Sequence, residues 1–335
     1  MSRSALVVAG VLFALGVLIW LLTTDSVVPV TPVPGPSLSS GNAEPDATIP
    51  QPGATAPGRP VPTGALDGPL PSVATRAELV ATLNARGLNG EKMLSRYAEW
   101  RVARGFLGAD SLAGTTAESA PAQVYAAMDR ATQKSLADSG DLGAIQAYAA
   151  GSLPGDPFTA VEYYSRASEL GSAAAMGQIA NVLADIGGLE MGDVMNDRPF
   201  ADKLLALRGG DPDRDLRRDS VAWTLASIRQ YGPILATPGT MELVEGLGRS
   251  TDKELLTGIC GQSLAILASL SAATAGRDTG ALPPVFVTER NLYNRLPCQD
   301  TPAPVTQPRA LAACTSSPAI GSYNQPVELW ICPEN

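Results

Sequence analysis

The chain has 335 residues, a net charge of −9, an isoelectric point near 4.7 and no histidine. The acidic balance excludes the basic footprint that nucleic-acid binding needs. The missing imidazole excludes His-ligated zinc and His-dependent nucleophiles, Ser–His–Asp and Cys–His alike, and leaves an enzyme only carboxylates, Lys, Tyr or Ser.

Residues 1–4 precede an apolar run and are expected to form a short cytoplasmic end. Residues 5–22, ALVVAGVLFALGVLIWLL, are apolar throughout. At about 1.5 Å rise they reach about 27 Å, the thickness of a bilayer core. A cleaved signal sequence is the rival, but no small-x-small site follows Trp20, Leu21 and Leu22. The expectation is an uncleaved, single-pass anchor in the cytoplasmic (inner) membrane. Arg3 then stays inside and the C-terminal domain lies on the periplasmic, extracytoplasmic side. Residues 25–74 hold twelve prolines and five charges. Such a stretch cannot bury a core; it reads as a disordered linker of polyproline character, reaching at most about 150 Å.

Residues 75–282 are expected to be α-helical. Thr75 and Glu78 form a capping box, and Gly87 ends that helix. A second helix covers about 90–104, with Leu94, Tyr97, Trp100 and Val102 as its apolar weight. Pro121 opens a third, with Val124, Tyr125, Met128 and Leu136 inside. Residues 140–183 then read helix, turn, helix, turn, helix. Ala144, Ala147, Tyr148 and Gly151 share one face of the first. Asp156 and Pro157 start the second, whose inner face is Ala160, Tyr163, Tyr164 and Ala167. Gly171 ends it, and Ser172 caps the third. A shift of 31 residues lays Gly140, Ala144 and Ala149 on Gly171, Ala175 and Ala180, the length of a helical-hairpin repeat. After Ile186 the rhythm breaks, and residues 187–218 read as an insertion. Residues 220–232, SVAWTLASIRQYG, echo residues 160–171, with Trp223 in the place of Tyr163. Thr251 and Glu254 suggest another capping box, and a long helix follows to about Ala275.

The alternation of Ala144 with Ala160, Tyr163, Tyr164, Ala167 and Gly171 resembles a Sel-one-like repeat, a branch of the tetratricopeptide superfamily. The period is shorter than that family's, and Ala149 and Ala180 stand where its first helix carries glycine. The resemblance covers about residues 140–183, with the looser echo at 220–232. It implies an all-α head of helical hairpins that serves as an interaction scaffold or adaptor without chemistry of its own.

Residues 283–335 change character. Residues 285–287 are β-branched and extended, and residues 327–332 alternate like a short strand. All four cysteines, Cys260, Cys298, Cys314 and Cys332, lie in the last quarter, and none has C-x-x-C spacing. An even count in an exported domain reads as two disulfides. Three connectivities are open; Cys314–Cys332 is favoured, with Cys260–Cys298 as the other.

Asp211, Asp213 and Asp215, with Asp219 nearby, have the D-x-D-x-D look of a calcium loop. That loop needs Gly at its sixth position and Glu at its twelfth, where this chain has Leu216 and Ala222. Arg214, Arg217 and Arg218 also interleave with the acids, so the run reads as a solvated loop that caps the helix starting near Leu216. Glycoside hydrolysis needs two carboxylates at a fixed separation. Glu162, Glu169, Asp185, Glu190 and Asp193 are all available, and nothing selects a pair. Tyr148, Tyr163 and Tyr164 fit the repeat's own core better than a peptide groove. No catalytic set, metal site or cofactor site is read. The expected function is a membrane-anchored scaffold for a protein partner in the cell envelope, with a carboxylate-dependent glycan hydrolase or a non-catalytic cell-wall tether as alternatives.

Overall fold

Thr75 begins the first helix through a reciprocal pair of hydrogen bonds. Its hydroxyl accepts from the Glu78 N–H at 3.3 Å, and the Glu78 carboxylate accepts from the Thr75 N–H at 3.0 Å. The computed structural model describes residues 70–332 apart from 118, 190–193, 195–196, 233–240, 243, 247–248, 250–251, 275–281, 290–295, 303 and 306–308. The expected anchor at 5–22 and nearly all of the linker lie outside the described residues.

The protein is mostly helical, with a small terminal sheet. The helices are α1 (Arg76–Ala85), α2 (Gly90–Ala103), α3 (Ala122–Ala126), α4 (Arg130–Asp138), α5 (Leu142–Ser152), α6 (Pro157–Glu169), α7 (Ala173–Gly187), α8 (Arg198–Leu207), α9 (Leu216–Tyr231) and α10 (Lys253–Ala273). The strands are β1 (Val285–Glu289), β2 (Thr315–Ile320) and β3 (Pro326–Ile331).

Much of the acidic composition is spent on helix starts. Asp129, Asp141, Asp156, Asp197, Asp215 and Asp252 each accept a backbone N–H at the head of α4, α5, α6, α8, α9 and α10. A carboxylate there satisfies an orphan donor and faces the positive end of the helix dipole. The cap of α10 is therefore Asp252 rather than Thr251. Asp129 also divides the expected third helix: α3 stops at Ala126, α4 starts at Arg130, and Val124 is 62% exposed rather than inside. Residues 198–207, within the expected insertion, form α8, which opens on Asp197 with a proline in its first turn.

α4 packs on α5, α5 on α6, α6 on α7, α7 on α9 and α9 on α10. Ala144, Ala160, Ala167 and Ala175 are fully buried in one core with Tyr163, Tyr164, Ile145 and Ile179. Their small side chains let neighbouring backbones approach, and the tyrosines fill the remaining space. Gly171, at φ +91°, closes α6. Ser172 N–H donates to Ala167 O at 3.0 Å, and the Ser172 hydroxyl then caps α7 by accepting from Ala175 N–H at 3.1 Å. One serine thus ends one helix and starts the next. At the crossing of α7 and α9, a Cβ on Gly187 would lie 2.7 Å from the Arg217 backbone nitrogen, so the approach needs glycine. In α5 the buried side differs from the expected one. Ala144 is buried, but Ala147 and Tyr148 are half-buried and Gly151 is exposed, while Ile145, Ala149 and Ser152 face inward. The helix is packed by α3, α4 and α6 at once, so no single apolar stripe marks its inner side.

α10 is 21 residues long and contains an 18-residue stretch with a mean hydropathy of 1.6, enough by length and composition to cross a membrane. Its inner side, Ile259, Cys260 and Ser263, packs against α9, and a disulfide joins Cys260 to Cys298. The terminal sheet has the order β1–β3–β2 and is antiparallel throughout, with Phe286 opposite Trp330 and Ala319 opposite Val327. A second disulfide, Cys314–Cys332, brackets the β2–β3 hairpin. Among the described residues no cysteine is free.

Candidate functional site

The loop after α8 is held from inside the protein. Arg208 is buried, and its guanidinium donates to Pro212 O at 2.5 Å and to Leu189 O at 2.7 Å. This holds the acidic run Asp211–Asp215 at the head of α9. The Asp211 carboxylate accepts from Asp213 N–H, and Asp215 caps α9. One turn later Asp219, 8% exposed, takes the Gln262 amide of α10 on one oxygen at 2.7 Å and the Arg214 guanidinium on the other at 2.9 Å.

These contacts bring two helix starts together around a cavity of about 490 Å³. One side carries Asp211, Asp213, Arg214, Asp215, Arg218 and Asp219; the other carries Asp252, Glu254, Leu255, Gly258, Ile259 and Gln262. Six carboxylates against two guanidiniums leave a formal lining charge of −4. Asp215 and Asp252 are committed as caps, and Asp219 has both oxygens engaged. Asp213, Glu254 and Arg218 remain available to a ligand or partner. The lining suits a cationic side chain more than an anion, since the carboxylates outweigh the two helix dipoles. Among the described residues no group of three carboxylates or thiols is gathered that could hold a metal ion. The positions where a calcium loop needs Gly and Glu, Leu216 and Ala222, are buried within α9.

The sequence points to the first side of this cavity, through the aspartate run. The other side lies some forty residues on, and only the run of Asp252 and Glu254 at a helix start hints at it. Glu162, Glu169 and Asp185 are exposed and line no part of the cavity. Glu190 and Asp193 lie outside the described residues.

Tyr163 and Tyr164 belong to the core, and half-buried Tyr148 packs against it. Tyr164 is buried, which pushes its hydroxyl up to about 12. The rings of Tyr148 and Tyr163 meet at 4.6 Å, and the Arg130 guanidinium lies 3.7 Å over Tyr148 while also hydrogen-bonding Ser152. Tyr163 O–H donates to Asp138 at 2.9 Å, tying α6 to α4, and Lys134 donates to the same carboxylate at 2.6 Å. Lys134 first, then Tyr163, holds the Asp138 carboxyl below its ordinary range. A carboxylate depressed in the folded state contributes stability above its unfolded value of about 3.9 and loses it as pH falls through the folded value. Asp138→Asn is therefore expected to lower the melting temperature at pH 7, and the gap to the parent should close as the pH drops well below 4. A gap that persists unchanged into strong acid would refute the role of this carboxylate.

Comparison with known proteins adds no relative: no protein-family model, no curated protein and no solved structure matches the chain.

Proposed function

We propose that this chain is a membrane-anchored scaffold whose helical head, built from Sel-one-like hairpins, stands outside the cytoplasmic membrane on a proline-rich tether and binds a protein partner of the cell envelope. The observation that carries the reading is the stack from α4 to α9. Ala144, Ala160, Ala167 and Ala175 are fully buried where neighbouring helices approach, which is what hairpin repeats need from small residues. The acidic cavity at the head of α9 and α10 is the surface offered to the partner, and a Lys or Arg of that partner is the group it fits. The head then works through shape and charge, in keeping with a chain that has no imidazole.

The test is site-specific photo-crosslinking in membranes from the native host. A crosslinking residue at Asp213 or Glu254 should give one discrete adduct that is lost in high salt, because an exposed charge contact is screened. The same residue at Glu162, which is exposed on α6, should give none. The same adducts from all three positions, or none from the cavity, would sink the proposal. A carboxylate hydrolase is the second reading, favoured by Asp213 and Glu254 reaching the cavity from two different elements. Glycan cleavage that disappears in both Asp213→Asn and Glu254→Gln would select it over the scaffold.

A further inference from the structure

The two ends of the folded chain share one core. Val73, Leu79, Leu83, Leu94 and Tyr97, from the start of the described chain, α1 and α2, are buried against Val285, Ala319, Val327 and Leu329 of the terminal sheet. The backbone joins them too. Ile320 N–H donates to Pro71 O at 2.9 Å, and Val73 N–H donates to Ile320 O at 2.8 Å, a single parallel bridge at Ser72.

That bridge cannot lengthen toward the linker. Ile320 turns both backbone groups outward, away from β3, and strand geometry repeats every two residues, so Pro318 turns the same way. The next pair of bonds would need an N–H from Pro318 and one from Pro71, and neither has one. Among the described residues, the linker side of the head is thus joined to the β2–β3 hairpin by two backbone hydrogen bonds and by Val73, and to α1 by the Thr82 hydroxyl, which donates to Ser72 O at 3.4 Å.

Cys314 and Cys332 bracket that hairpin, immediately before β2 and after β3. Cys314 is half-buried, whereas Cys260 and Cys298 of the other disulfide are both buried. A solution thiol therefore reaches the hairpin disulfide first. The end unit is joined to the central helices twice. Between β1 and β2, Leu296, Cys298 and Val305 are buried with α9 and α10, and Cys298 is bonded to Cys260. After α2 the joint is short. Arg104 O accepts from Ala174 N–H at 3.1 Å and from the Ser172 hydroxyl at 3.2 Å, and Phe106 packs beside Ala173 and Met176.

We propose that α1, α2 and the terminal sheet form a latch that Cys314–Cys332 keeps closed, and that reducing this disulfide opens both chain ends together while α5 to α7 stay folded. The reductant is a dithiol. One of its thiolates attacks Cys314 Sγ, and Cys332 leaves as a thiolate and takes up a proton. The second thiol then attacks the mixed disulfide, closing the reductant into its own cyclic disulfide and releasing Cys314 as a thiol. Opening adds residues 71–103 to the reach of the linker and bares Leu79, Leu83 and Leu94 as a fresh apolar surface.

The experiment is hydrogen exchange read by mass spectrometry on the full chain, before and after timed treatment with dithiothreitol, and on the Cys314→Ala, Cys332→Ala double variant. Segments 71–85 and 315–331 are expected to exchange at least tenfold faster once Cys314–Cys332 is open, with 142–187 unchanged. Unchanged exchange at 71–85 after that disulfide is reduced would overturn the latch. So would an equal rise across 142–187, which would make the disulfide a staple of the whole head. If the double variant does not fold, the timed reduction of the parent gives the same reading by itself.

Discussion

Ala167→Glu is expected to unfold the central helices at temperatures where the parent is stable. Ala167 is fully buried in α6, in the same core as Ala144, Tyr163, Tyr164 and Ile179. Glutamate there adds volume to a closed contact, which alone costs about 1–3 kcal/mol. It also places a carboxylate where the core offers alanine methyls and tyrosine rings, and an unpaired buried charge is far more costly than the overpacking. A domain of this kind holds about 5–15 kcal/mol in all, so most of the stability should go. Glu162→Gln, at an exposed position of the same helix, should stay within about 0.5 kcal/mol. Helical periodicity alone would choose Ser165 as the surface partner, but Ser165 is half-buried and its hydroxyl donates to Val161 O at 2.8 Å. Thermal melts followed by circular dichroism settle the matter; equal midpoints for Ala167→Glu and Glu162→Gln would mean that α6 turns another side inward.

Removing the Cys260–Cys298 disulfide, by alanine at both positions, should cost about 4 kcal/mol. The closed loop spans a separation of 38 residues, and the loop-entropy relation gives about that value, against about 3 kcal/mol for the separation of 18 at Cys314–Cys332. The longer loop is also the more deeply seated. Cys260 and Cys298 are buried with Leu225, Ile228, Val244 and Leu296, where α9, α10 and the segment after β1 meet. Truncation to alanine removes two sulfurs from that core and adds a cavity penalty to the lost constraint. Urea unfolding of the double variant should show a clearly lower midpoint than the parent, and a larger drop than the Cys314→Ala, Cys332→Ala variant shows for the central helices. A midpoint equal to the parent's would refute both parts of the argument.

The helix starts are where the amino-acid sequence is most informative. The Thr75–Glu78 box, the Asp156–Pro157 start, the Ser172 cap and the loop leading into Leu216 can all be placed from residue types alone. Each is a hydrogen bond between side chain and backbone within three residues, so distant chain adds little to it. The same holds for the stop at Gly171, where the backbone needs a positive φ. The half of the acidic cavity formed by Asp211, Asp213, Asp215 and Asp219 is visible as a cluster for the same reason.

What only the tertiary structure decides is everything set by contact between distant segments. α5 hides Ile145 and Ala149 rather than Ala147 and Gly151 because three helices surround it, and an Ala-rich sequence has too little contrast to say so beforehand. β2, with the sequence TSSPAI, carries no strand signal; it is a strand because β3 lies beside it and supplies the partner groups. Gln262 and Glu254 join the cavity because the Asp219 carboxylate meets α10 forty-three residues along the chain. Pro71 and Val73 reach Ile320 across almost the whole folded length, and the two cysteine pairs are selected from three connectivities by which backbones lie within bonding distance. Short-range hydrogen bonds are written in neighbouring residues, whereas burial and pairing depend on a global minimum of packed surface, to which each residue contributes only a part.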